Sequence, residues 1–150
     1  MGTRSMIGIE NPNTGVVKSV YCHWDGYLAH NGAILQKYYN SAKANFLVAL
    51  GDISSLGTDI GEAHDFDRLD TMCKYDEDGF RSDTNFFGRD RGDENSGYRT
   101  FQNEQEFVDE MSYIGCEYFY IMDNDNWYVS TGKEFTLLSQ ALVLELAEQE

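Results

Sequence analysis

Met6 to Glu10 and Val16 to Cys22 are apolar or β-branched runs held apart by Asn11-Pro12-Asn13-Thr14-Gly15. Turn-forming residues between two such runs fold them back on each other, because Asn and Gly tolerate left-handed backbone and Pro fixes φ. The same grammar returns near the other end of the chain. Cys116 to Met122 alternates, Asp123-Asn124-Asp125-Asn126 turns, and Trp127-Tyr128-Val129 runs back. A hairpin at each end predicts an antiparallel sheet built from both.

Helical patterning fills much of the rest. From Tyr27 to Tyr39, Leu28, Ile34, Leu35, Tyr38 and Tyr39 recur at rough helical spacing. Ser41 is placed to cap a second short helix carrying Phe46, Leu47 and Leu50 and stopping at Gly51. Asn103 with Glu106 makes a capping box ahead of Phe107, Val108, Met111 and Ile114. Thr131 with Glu134 makes another, predicting a final helix through Leu138, Leu142 and Leu146. Between Asp52 and Gly97, glycine, serine and acidic residues interleave with short apolar pieces such as Met72-Cys73 and Phe86-Phe87. Asp76-Glu77-Asp78-Gly79 reads as a turn there. Such a length exceeds that of ordinary loops, so one or two short strands are expected within it. The expected architecture is a single α+β domain over 1–150, an antiparallel sheet of N- and C-terminal hairpins with three or more helices packed on one face.

Charge narrows function. With 26 acidic and 11 basic side chains, the formal net charge is −15. That field repels nucleic-acid backbone and anionic lipid over about 10 Å at moderate salt. Direct nucleic-acid binding is not expected, and a basic protein partner is; acidity for solubility alone is the plain alternative. Homo-oligomers stay open. Cys22, Cys73 and Cys116 are far apart with no CxxC pair, against a disulfide framework or zinc ribbon. No signal-peptide pattern and no apolar run near the ~20 residues of a membrane span is present, so a cytoplasmic protein is expected.

Four clusters carry possible chemistry. Cys22-His23-Trp24-Asp25-Gly26-Tyr27 stands where a strand gives way to a helix. His23 and Asp25 form a possible acid/base pair, and Trp24 and Tyr27 possible stacking surfaces. On the competing reading Trp24 plugs the core, Asp25 caps the helix and His23 satisfies a backbone carbonyl. Gly51-Asp52-Ile53-Ser54-Ser55-Leu56-Gly57 offers hydroxyls and backbone N–H groups to an anion, but Asp52 opposes one unless a cation intervenes; a helix end followed by a turn needs no ligand. Gly88-Arg89-Asp90-Arg91-Gly92 is the dense positive spot of an acidic chain. Arg89 and Arg91 suit phosphate or carboxylate recognition, or pair internally around Asp90. His64, Asp65, Asp67 and Asp70 resemble metal ligands only weakly, and Asp123 to Asn126 lacks the glycine of a calcium loop. No Walker A, GxSxG, HExxH or GxGxxG motif occurs.

Gly2-Thr3-Arg4-Ser5, Tyr21 to Tyr27, Leu50 to Gly57 and Gly88 to Gly92 stand in the order found in a family of small proteins of tailed bacteriophages and prophages, which this chain resembles. Trp127-Tyr128-Val129 also fits, so the resemblance spans Gly2 to Val129. In many relatives Pro follows the tyrosine of the second motif, where Leu28 stands here. The resemblance carries no catalytic residue with it. It implies a phage accessory protein in the cytoplasm of a bacterial host, with a shared surface or pocket built from the motifs, Arg4 included.

Three functions compete. The first is a non-enzymatic protein that binds and inhibits a basic host or anti-phage defence component, with Asp65, Asp67, Asp70, Asp76 and Asp78 imitating nucleic-acid phosphates. The second is a small-molecule binder that sequesters a nucleotide signal, with Arg89 and Arg91 on the phosphates, Trp24 or Tyr27 on the base, and Ser54 and Ser55 hydrogen-bonding. The third is a metal-assisted hydrolase using His23, Asp25, His64 and Asp90. No bound cofactor is expected.

Overall fold

β1 (Ser5–Glu10) lies at the centre of the sheet because both of its edges are paired. β2 (Val17–Cys22) returns antiparallel along one edge, with Ile7 opposite Val20. β6 (Tyr118–Asp123) runs parallel along the other, with Ile7 opposite Tyr120. The computed structural model describes residues 2–69 and 73–149; Asp70 and Met72 lie outside the described residues.

Beyond β6 come β7 (Asn126–Ser130) and β8 (Thr136–Leu137), both antiparallel to their neighbours. Beyond β2, its edge is shared. β5 (Arg99–Phe101) pairs antiparallel with Val17 to Ser19, while β3 (Ile53–Ser55) pairs parallel at Cys22 and in turn holds β4 (Asn85–Phe86). The expected α+β class holds, and the sheet is mixed rather than antiparallel throughout. Two hairpins do not dictate how they dock, and β1 and β6 dock side by side in the same direction.

Alternation along β1 divides two cores, since successive side chains face opposite ways. Ile7, Val20 and Tyr120 face one layer, formed by α1 (Ala33–Tyr38), α2 (Ser41–Ala49) and the start of α5 (Leu138–Gln149). Met6, Phe101 and Phe119 face the other, which is covered by Phe107, Val108 and Met111 of α4 (Glu104–Tyr113). Helices therefore cover both faces, not one. α4 has its own apolar stripe and lies between β5 and β6, on the face that α1, α2 and α5 leave open.

Asn103 accepts from the Glu106 N–H at 2.8 Å and caps α4 as its sequence predicts. α2 is capped by Asn40, which accepts from the Lys43 N–H at 2.8 Å; Ser41 is the first helical residue. Asn124 and Asp125 both adopt positive φ in the β6–β7 turn, the geometry that matches strand twist. The final helix begins at Leu138, later than the Thr131/Glu134 box predicts. Ser130 Oγ donates to the Lys133 carbonyl and accepts from the Gly132 N–H, so Thr131 sits in a hairpin turn that returns Thr136 and Leu137 to β7. The acidic middle holds β3, β4, a 3-10 turn at Phe66–Arg68 and α3 (Phe87–Arg91). Among the described residues no helix is long and apolar enough to cross a membrane.

Candidate functional site

β2 and β3 run parallel, so their C-terminal ends open on the same side. There the backbone N–H groups of His23 and Trp24 donate to the Ile53 and Ser54 carbonyls, each at 3.0 Å. This extends the pairing past the strands and joins two of the motifs. The first motif joins them. Gly26 N–H donates to the Thr3 carbonyl at 2.8 Å, and Asn31 Nδ2 donates to Ser5 Oγ at 3.3 Å. A Cβ on Gly2 would stand 2.4 Å from Trp24 Cε3, so glycine is what lets this segment pass beneath the indole.

The result is a cavity of about 490 Å³ lined by Trp24, Asp25, Ser54 and Ser55 from the predicted candidates. His30, Phe66, Asp67, Tyr75, Arg81 and Asn85 complete much of its wall. Trp24 does not plug the core: it is 44% exposed and meets the His23 ring at right angles, with ring centroids 4.7 Å apart. Asp25 does not cap the following helix through its side chain. Its backbone takes φ 57°, a left-handed conformation that Asp tolerates, and its carbonyl accepts from the Asn31 N–H. The turn that follows, Leu28–Gly32, is π-helical, a form that recurs at functional positions, and it sets His30 into the wall.

The other candidates lie outside the cavity. His23 Nδ1 meets the Tyr21 hydroxyl at 2.7 Å rather than a carbonyl, and burial followed by the Arg4 charge lowers its pKa. Tyr27 packs its ring toward His30 and is not part of the wall. Arg4 donates to the Ile114 carbonyl at 3.2 Å. Asp52 is buried, accepts from the Tyr21 N–H at 2.9 Å and pairs with Arg99 at 3.2 Å; burial raises its pKa against these partners. An anion at Gly51 to Gly57 would face this carboxylate.

The arginine motif turns inward. Arg89 Nε and one terminal nitrogen hold Asp90, and the remaining N–H groups reach the carbonyls of Ile60, Gly61 and Thr84. All five guanidinium donors are thereby used. Asp90, with a fully buried side chain, also accepts from the His64 and Phe86 N–H groups. Of the two readings of this motif, internal pairing around Asp90 is the one the geometry of Arg89 matches. Arg91 pairs with Asp93 and lies over the rings of Phe66 and Phe87 at 4.7 and 4.8 Å. The network does reach the cavity indirectly. His64 Nε2 meets Asn85 Oδ1 at 2.9 Å and Asn85 Nδ2 donates to the Phe66 carbonyl, fixing the Asn85 amide in the wall.

Chemically, the cavity combines aromatic faces, hydroxyls, an amide and two carboxylates. Among the described residues no three His, Cys, Asp or Glu side chains gather to hold a metal ion, so His23, Asp25, His64 and Asp90 do not form a single metal site. Phosphates would find no donor left on Arg89. Sequence reasoning missed His30, Tyr75 and Asn85, which come from segments with no motif of their own. No protein-family model, no curated protein and no solved structure matches this chain.

Proposed function

We propose that this chain is a non-enzymatic phage accessory protein that binds a basic host or anti-phage defence protein through its carboxylate-rich surface and so inhibits it. The observation that carries this reading is the fate of the cations. Lys37 is held by Glu77 and Asp78, Lys43 by Asp59, Arg89 by Asp90, Arg91 by Asp93 and Arg99 by Asp52. With these cations held by the protein's own carboxylates, none of the five is left without an acidic partner, and the chain keeps a net charge of −15. Such a field speeds encounter with a basic surface and discourages nucleic acid itself. The bacterial cytoplasm is the place this reading assigns it. A nucleotide sponge is the weaker reading, because the Arg89 donors that would hold its phosphates are already bonded within the protein.

The test is affinity capture from a bacterial host lysate by the wild-type chain and by a variant with Asp65, Asp67, Glu77 and Asp78 changed to amides. The expected result is a basic, nucleic-acid-binding protein retained at low salt, displaced by duplex DNA and lost with the variant. Retention indifferent to salt, DNA and the four substitutions would overturn the reading.

A further inference from the structure

We propose that the cavity beside Trp24 receives a cationic side chain, arginine or lysine, of the basic protein partner; this rests on the binding function proposed above. Trp24 and Tyr75 both line the cavity and remain 44% and 56% exposed, so each ring keeps part of its surface open to a ligand. Exposed aromatics in a concave site attract cations through the negative face of the ring. Asp25 and Asp67 line the same cavity. Among the described residues neither is in an ion pair within contact distance, unlike Asp52, Asp59, Asp90 and Asp93, although Asp67 lies near enough to Arg91 to feel its charge. Arg81 also borders the space and brings one positive charge to its wall. Two carboxylates against one guanidinium in the wall leave the cavity with net negative character, and Ser54 and Ser55 add hydroxyls that can accept from an N–H-rich group.

Ligand class follows from this balance. An anionic ligand would meet both carboxylates inside a protein of net charge −15. A neutral ring would stack but gain nothing from the field. A guanidinium or ammonium group uses the aromatic face, the carboxylates and the long-range potential together. The cavity is also large enough, at about 490 Å³, for a whole long side chain and part of its backbone.

The experiment uses Trp24 as its reporter, since the other tryptophan, Trp127, is buried. Short capped peptides carrying a single arginine, lysine or neutral citrulline are titrated against the full chain while fluorescence is followed. Saturable change is expected with arginine and lysine at about millimolar concentration, and none with citrulline. The double substitution D25N/D67N should raise the half-saturating concentration by about five-fold. Asn is chosen at 25 because it accepts the left-handed backbone as Asp does. An equal response to citrulline, or no weakening by D25N/D67N in a variant with unchanged Tm, overturns the inference. If salt-sensitive capture of basic proteins persists while the cationic peptides leave Trp24 untouched, the cavity is not the receptacle and the surface reading stands. If capture fails as well, both fall.

Discussion

The Trp24 backbone N–H donates to the Ser54 carbonyl at 3.0 Å, and through it two motifs separated by a pair of helices close one cavity. The bond exists because β2 and β3 are parallel neighbours whose chains leave the sheet on the same side. Everything proposed for the cavity depends on that junction holding the indole at its edge.

Gly2→Ala tests the junction from the other side. A Cβ there would meet Trp24 Cε3 at 2.4 Å and the His23 carbonyl oxygen at 2.9 Å. The half-exposed indole has room to tilt, but the His23 carbonyl is backbone and must shift as well, so the expected outcome is a shifted Trp24 emission with a stability loss of about 1–3 kcal/mol. Emission identical to wild type would show that the close approach does not position the ring.

Asp90→Ala is predicted to be severe. It would strand the Arg89 guanidinium, only 15% exposed, and leave the His64 and Phe86 N–H groups without their acceptor. Breaking a buried pair from one side costs about 3–5 kcal/mol. Arg91→Ala, by contrast, removes a half-exposed pair with Asp93 and the stacking on Phe66 and Phe87, and should lower the urea midpoint only slightly. Comparable losses from the two substitutions in urea unfolding would contradict the division between scaffold and surface.

Tyr120→Phe removes a buried hydroxyl that donates to the Gly26 carbonyl at 2.6 Å. The loss should be about 1–2 kcal/mol, because the carbonyl is left without its partner. Since Gly26 follows Asp25, a weaker fluorescence response to cationic peptides should accompany it.

Glu10 makes stability depend on pH. The parallel register that sets Ile9 beside Met122 brings Glu10 near Asp123, and Glu104 opens α4 close by. Burial, then hydrogen bonding and repulsion from Glu104 and Asp123, raises the Glu10 pKa from 4.5 to about 8. The folded protein therefore keeps this proton after the unfolded chain has released it. Stability from this group is full below about pH 4.5 and declines as pH rises through about 8. Glu10→Gln should flatten the decline and raise Tm at pH 9, as differential scanning calorimetry would record. An unchanged pH profile would remove Glu10 from the account.

What the sequence made legible was local. The two hairpins, the Asn103 cap and the short strands in the acidic middle follow from residues within a few positions of one another. Pairing between distant segments was not legible: no local pattern tells β6 to lie parallel to β1, or α4 to take the opposite face. The Thr131/Glu134 box misled because pairing of Thr136 and Leu137 with β7 outweighed a cap. At the site, Trp24, Asp25, Ser54 and Ser55 were legible as motif residues, while Tyr75 and Asn85 arrive through tertiary contacts alone. Arg89 looked available only because its five acceptors come from positions scattered between Ile60 and Asp90.

The measurement closest to the central claim is the dissociation constant of the captured basic partner as a function of salt. Carboxylate-driven binding predicts that affinity falls steeply between 50 and 200 mM salt, by roughly an order of magnitude or more for an interface with several charge pairs. The four-amide variant should flatten that dependence. An affinity that stays constant across the range, with the variant binding as tightly as wild type, would contradict the account.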